Sequence, residues 1–160
     1  MKNNLILLFL IFSNLSLFGQ YNVKTVNRPD GITLKYFNPI PVAITKTHEV
    51  GLSIYKSVEN SSYLLSVTVL FKSTNPKELK GNLLIQTTGN KGISLKPVMH
   101  KLININGKNV ASSMFLLSKR DVQELNLKPL KLVSFYVNSL IVGLTVNKNK
   151  DVLIKEFSLL

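Results

Sequence analysis

The 160-residue chain contains no cysteine. Disulfides, thiol catalysis, zinc–thiolate sites and iron–sulfur clusters are excluded together. So is lipoprotein acylation, which needs a cysteine just after the leader. Histidine is nearly as scarce: only His48 and His100 are present. His48 is followed by Glu49, but neighbours in a strand point to opposite faces and cannot chelate together. No second histidine lies four residues on, so the zincin pattern is missing. There are eight carboxylates: Asp30, Glu49, Glu59, Glu78, Asp121, Glu124, Asp151 and Glu156. Glycoside hydrolysis needs two of them facing across a cleft, and most fall in predicted turns or at strand starts. No Gly-x-Ser-x-Gly elbow occurs. No glycine-rich loop opens a helix, so phosphate and dinucleotide sites lack support. The sequence therefore assigns no catalytic, cofactor-binding or metal-ligating residue, and it implies no cofactor.

Arginine is also sparse. Arg28 and Arg120 are the only two, and the other basic residues are lysines spread from Lys24 to Lys155. The net charge is +12, or +11 once Lys2 goes with the leader. Neither a recognition-helix pattern nor an RNA-binding aromatic cluster accompanies it, so no nucleic-acid partner is expected. Scattered lysine is the usual solubilising dress of β-proteins. An anionic partner remains compatible with it.

What is present begins with "MKNNLILLFLIFSNLSLFGQ", residues 1–20. A basic start, an apolar run from Leu5 to Phe12 and a small residue near Gly19 describe a secretory signal. Asn14 interrupts the roughly 20 apolar residues that a membrane-spanning helix requires. The expected organisation is a signal peptide over residues 1–19 and a single β-rich domain over residues 20–160. No membrane span is expected after signal removal. The destination would be the periplasm, the cell envelope or the exterior.

After the leader the dominant period is two. Val50, Leu52 and Ile54 share one face, as do Tyr63, Leu65, Val67, Val69 and Phe71. The short "VENSS" link at 58–62 suggests a hairpin between them. Pro29-Asp30-Gly31 is a turn signal, and Asn106-Gly107 suits a type I′ turn. "NLLIQTT" and "GISLKPV" read as a pair across Gly89–Gly92. Ile32, Leu34 and Tyr36 alternate as a strand that Pro39 and Pro41 end or confine to an edge. Gly51 and Gly143 read as bulge positions. Ser118 can cap a helix with Asp121 three residues on, Leu117 and Val122 can staple its start, and Pro129 ends it. "LKLVSFYV", "LIVGLTV" and "DVLIKEFSLL" read as a closing three-stranded meander. The predicted fold is mainly β: an antiparallel sandwich or a strongly curved, barrel-like sheet of about 8–9 strands with one short helix at about 119–127.

The order "KGNLLIQTTGNKGISLKP" followed by "SSMFLLSKRDVQELNLKPLKLVSFYV", with Phe115, Leu117, Ser118, Asp121, Val122 and Leu125 in set places, resembles a layout in small exported β-rich proteins of Bacteroidota with no assigned function. "SLFGQ" likewise resembles the signal ends of exported Bacteroidota proteins. The resemblance covers roughly residues 79–158 and implies export and a mainly-β fold. It brings no catalytic residues. The functional expectation is an exported, non-enzymatic β-domain that docks to an envelope or extracellular partner. The alternatives are a glycan-directed hydrolase with paired carboxylates, or a small-ligand or lipid-binding barrel with Leu65, Val67 and Val69 facing its cavity.

Overall fold

Alternation decides the centre of the molecule. Strands β4 (His48–Ser57) and β5 (Tyr63–Phe71) pair antiparallel, with Val50 opposite Val69, Leu52 opposite Val67 and Ile54 opposite Leu65. All six are fully buried. The computed structural model describes residues 21–72, 75–89, 92–105 and 107–160. The signal assigned to residues 1–19 lies outside them, as do Asn106 and the centre of the 89–92 turn.

The remaining strands are β1 (Lys24–Asn27), β2 (Thr33–Tyr36), β3 (Ile40–Ile44), β6 (Leu83–Thr87), β7 (Gly92–Leu95), β8 (Pro97–Ile105), β9 (Lys108–Leu117), β10 (Leu130–Val137) and β11 (Leu140–Thr145). They form two antiparallel sheets. A curled, half-barrel sheet runs β1-β2-β4-β5-β9-β8, with β3 also on β4. A smaller sheet runs β11-β10-β6-β7. Their inner faces meet in one core that joins Val67, Ala111 and Phe115 to Leu83, Ile85, Val133 and Phe135. The expected hairpins form: β6 pairs with β7, and β8 with β9. In the first turn the Gly31 N–H donates to the Arg28 carbonyl, and Gly31 takes φ +82°, which glycine tolerates. Pro41 sits on β3 at a sheet edge, beside a register shift.

Helix α1 (Lys119–Leu127) starts as predicted. Ser118 Oγ accepts the Asp121 N–H at 3.2 Å, and Asp121 answers by accepting the Ser118 N–H at 2.9 Å. Leu125 is fully buried, and Val122 packs against the core.

Two expectations are corrected. Among the described residues there are 11 strands rather than 8 or 9. And "DVLIKEFSLL" is not a third meander strand. It forms helix α2 (Val152–Leu159), which buries Val152, Leu153 and Glu156. Those positions, with Phe157 and Leu160 packed behind them, follow the helical spacing i, i+1, i+4, i+5, i+8. The run of three apolar residues at 152–154 satisfies either period, and only the docking surface resolves it.

Residues 147–160 occupy the edge where the curled sheet passes from β2 to β3. Asn147 accepts the Ile44 N–H through Oδ1 and donates to the Ile44 carbonyl through Nδ2. Asn149 Nδ2 donates to the Pro41 carbonyl, and the Asn147 and Lys148 N–H groups both reach the Val42 carbonyl. Strand β2 pairs with β4 at residues 55–57, and β3 pairs with it at 49–52. The Ile54 N–H falls in the gap between them and donates to Glu156 Oε2 at 2.6 Å. Lys56 Nζ then holds the main-chain oxygen of Leu160.

Candidate functional site

The face of the curled sheet opposite the core carries small side chains. Strand pairing sets Ser53 beside Ser66, and Gly51, Thr68 and Ser112 in one row. All five are buried, although they face away from the core cluster. Neighbouring side chains crowd the backbone there. Gly51 shows the limit directly: a Cβ there would lie 2.9 Å from Thr68 Oγ1 and 3.1 Å from Pro39 Cβ. Close approach requires this glycine, and the register shift of β3 between Pro41 and Ala43 falls opposite Gly51 and Val50, next to the expected bulge position. Gly143 pairs in continuous register with Ser134 and marks no bulge.

A groove of about 610 Å³ opens on this face. Gly51, Thr68 and Val110 form its floor, Pro39 and Pro41 one wall, and Lys24 and Lys108 reach it from β1 and β9. Glu49 also lines it, 3.9 Å from Lys72 Nζ. A second depression, of about 640 Å³, surrounds Tyr136, with Lys77, Lys80 and the Asn138-Ser139 turn. There Lys80 is already paired to Glu78 at 2.8 Å, which leaves less free positive charge.

Glu156 is the most perturbed acid. Burial pushes its carboxyl up to about 8, against the opposing hydrogen bond from the Ile54 N–H. A raised acid often marks a catalytic group. This one is fully buried and bonded to a backbone N–H, so no substrate reaches it, and its role is to close the sheet edge. Its Oε1 and Ser53 Oγ have no hydrogen-bond partner among the described residues.

The other carboxylates are engaged separately. Asp30 pairs with Arg28 and Asp151 with Lys155. Glu59 accepts the Thr33 N–H, Asp121 serves the helix cap, and Glu124 accepts from Thr87 Oγ1. His48 packs edge-on against Phe71 and Phe135, and burial lowers its pKa. His100 lies 3.9 Å from Glu78. No group of three or more His, Asp or Glu side chains that could hold a metal occurs among the described residues. Leu65, Val67 and Val69 pack into the core and line none of these depressions. The groove of about 610 Å³ lies on the opposite face.

The sequence reading passed over this groove. The outward phase of β4 and β5 supplies Gly51 and Thr68 to it, beside Glu49 and Leu70, and that mixture is ordinary for an outward face. No family model, curated protein or solved structure matches the chain. No helix among the described residues is long and apolar enough to cross a membrane.

Proposed function

We propose that the chain is an exported, non-enzymatic β-domain that holds an anionic partner outside the cytoplasm, in the groove between Lys24 and Lys108. The carrying observation is the groove itself: a buried floor at Gly51, Thr68 and Val110, reached by exposed lysines from two different strands. Small side chains let a ligand approach the sheet closely. Lysine supplies mobile charge that neutralises an anion without imposing one geometry. The net charge, +11 once Lys2 goes with the leader, adds long-range attraction for such a partner. The leader over residues 1–19 supports export, and the separate engagement of the carboxylates supports binding over hydrolysis.

Binding of dextran sulfate by the purified protein tests the groove. Replacing both Lys24 and Lys108 with Glu should weaken it about tenfold or more. Lys131→Glu, on β10 in the other sheet, should leave it unchanged. Equal loss in both variants would mean that the charge acts diffusely and the groove does not. Fractionation of cells making the full chain tests export, and retention in the cytoplasm would refute it.

A further inference from the structure

Strand β8 ends the curled sheet, and none of its described side chains is buried. Val98, Met99 and Leu102 are 60%, 43% and 47% exposed. We propose that the outer edge of β8 is a strand-addition site for an extended, acidic segment of a partner polypeptide. This goes beyond the groove reading and uses a different surface.

The direction of the edge groups follows from one hydrogen bond. The Ile54 N–H points to Glu156 and hence away from β5. In an antiparallel pair the inward and outward residues alternate, so Leu65, opposite Ile54, directs its groups toward β9. Register from β5 to β9 is continuous, with Leu65 opposite Phe115 and Val67 opposite Ser113. Ser112 and Val110 therefore bond to β8, through Lys101 and Ile103. That leaves the N–H and C=O groups of His100, Leu102 and Asn104 directed off the sheet.

A row of alternating main-chain donors and acceptors is matched by another extended backbone. A glycan or a lipid has no such repeat. The exposed Val98, Met99 and Leu102 offer apolar contacts on both faces of the added strand. Lys101 is exposed between Met99 and Ile103, and Lys96 is exposed at the open end of the hairpin. A carboxylate on the incoming strand opposite Lys101 answers that charge. A second copy of this chain is itself strongly basic, +11 without Lys2, so an acidic partner is favoured over self-pairing.

The probe is a fluorescent nine-residue peptide alternating valine and glutamate, read by anisotropy against the purified protein. Two controls accompany it. One has lysine in place of glutamate. The other keeps the charge but N-methylates alternate amides, removing the donors. The first peptide should bind, and both controls should bind about tenfold more weakly or worse. Leu102→Pro removes only an outward-facing donor, since edge strands accept proline on their free side. It should keep the wild-type circular dichroism and lose the peptide. Lys101→Glu, which leaves the backbone intact, should reverse the preference between glutamate and lysine peptides. The proposal fails if the N-methylated peptide binds as well as the parent, since charge alone then suffices. It fails if folded Leu102→Pro, or Lys101→Glu, binds the glutamate peptide as wild type does. It also fails if sedimentation finds a dimer that Leu102→Pro dissociates, because a second copy then occupies the edge.

Discussion

The β3 edge and the β8 edge border the same curled sheet and are treated in opposite ways. Along β3 and the gap beside it, residues more than 100 positions away satisfy the exposed backbone: Asn147 and Asn149 by amide side chains, Glu156 by its carboxyl. Along β8, which is longer, no other described strand or side-chain ladder does the same. An unpaired edge is a template for another chain. Sealing one edge so fully while leaving apolar side chains on the other identifies which is structural and which is available. The sealed edge also contributes to the core through Val152 and Leu153, so its loss would cost packing as well as hydrogen bonds.

The largest effect should therefore fall on the sealed side. Leu153 is 1% exposed and anchors α2. Leu153→Ala should destabilise by about 2–5 kcal/mol, the range for a buried leucine left as a cavity. Urea unfolding measures it. A loss below about 1 kcal/mol, the size of an ordinary surface change, would mean that α2 covers the edge without holding it.

The carboxyl at the centre of that seal should make the edge sensitive to pH. Its folded pKa is raised to about 8 from the ordinary 4.5, so the folded state keeps a proton that the unfolded state releases. The stabilisation is complete below about 4.5, is lost as pH rises through the window to about 8, and then levels off. The slope can reach about 1.4 kcal/mol per pH unit. Glu156→Gln has no proton to release and should flatten that part of the profile. Thermal melts from pH 5 to 9 distinguish the two. Parallel profiles would show that Glu156 is ionised inside the fold or in contact with water.

How legible this arrangement was in the sequence depends on range. Local signals were read correctly: the period of two at Val50–Ile54 and Leu65–Val69, the Pro29–Gly31 turn, and the Ser118–Asp121 box. In each, the deciding partners lie within a few residues or on the adjacent strand. Asn147 and Asn149 sit in "NKNKD", which reads as a linker, because their work is done on residues 41–44. Nothing local sets Glu156 apart from the other seven acids, since its partner at Ile54 lies 102 positions away. The groove was hidden for a related reason. Gly51 and Thr68 are compatible with turns, edges and solvent, and only the segments beside them, bringing Pro39, Pro41 and Val110, make them part of a groove.

The capped helix tests a smaller term. Ser118→Ala should cost about 0.5–2 kcal/mol, the usual loss of an N-cap. Leu125→Ala should cost about 2–5 kcal/mol, because a helix of so few turns has little stability without docking. If Ser118→Ala is the more damaging of the two, α1 is held by its cap and not by the core, unlike α2 on the sealed edge.

The smallest effect is the sharpest test of the open edge. Leu102→Thr keeps a side chain suited to strands and removes apolar surface that is already about half in water. Its N–H and C=O point off the sheet, so the ladder to β9 is untouched. The change should stay within about 0.5 kcal/mol, as surface substitutions away from special features do. A loss of about 2 kcal/mol would instead match a packed leucine, which requires something to cover β8 in the free protein. Repeating the melt at tenfold higher protein concentration then separates the causes. A midpoint that rises with concentration means that a second copy supplies the cover. A constant midpoint means that the chain covers its own edge, and the contrast between the two edges disappears.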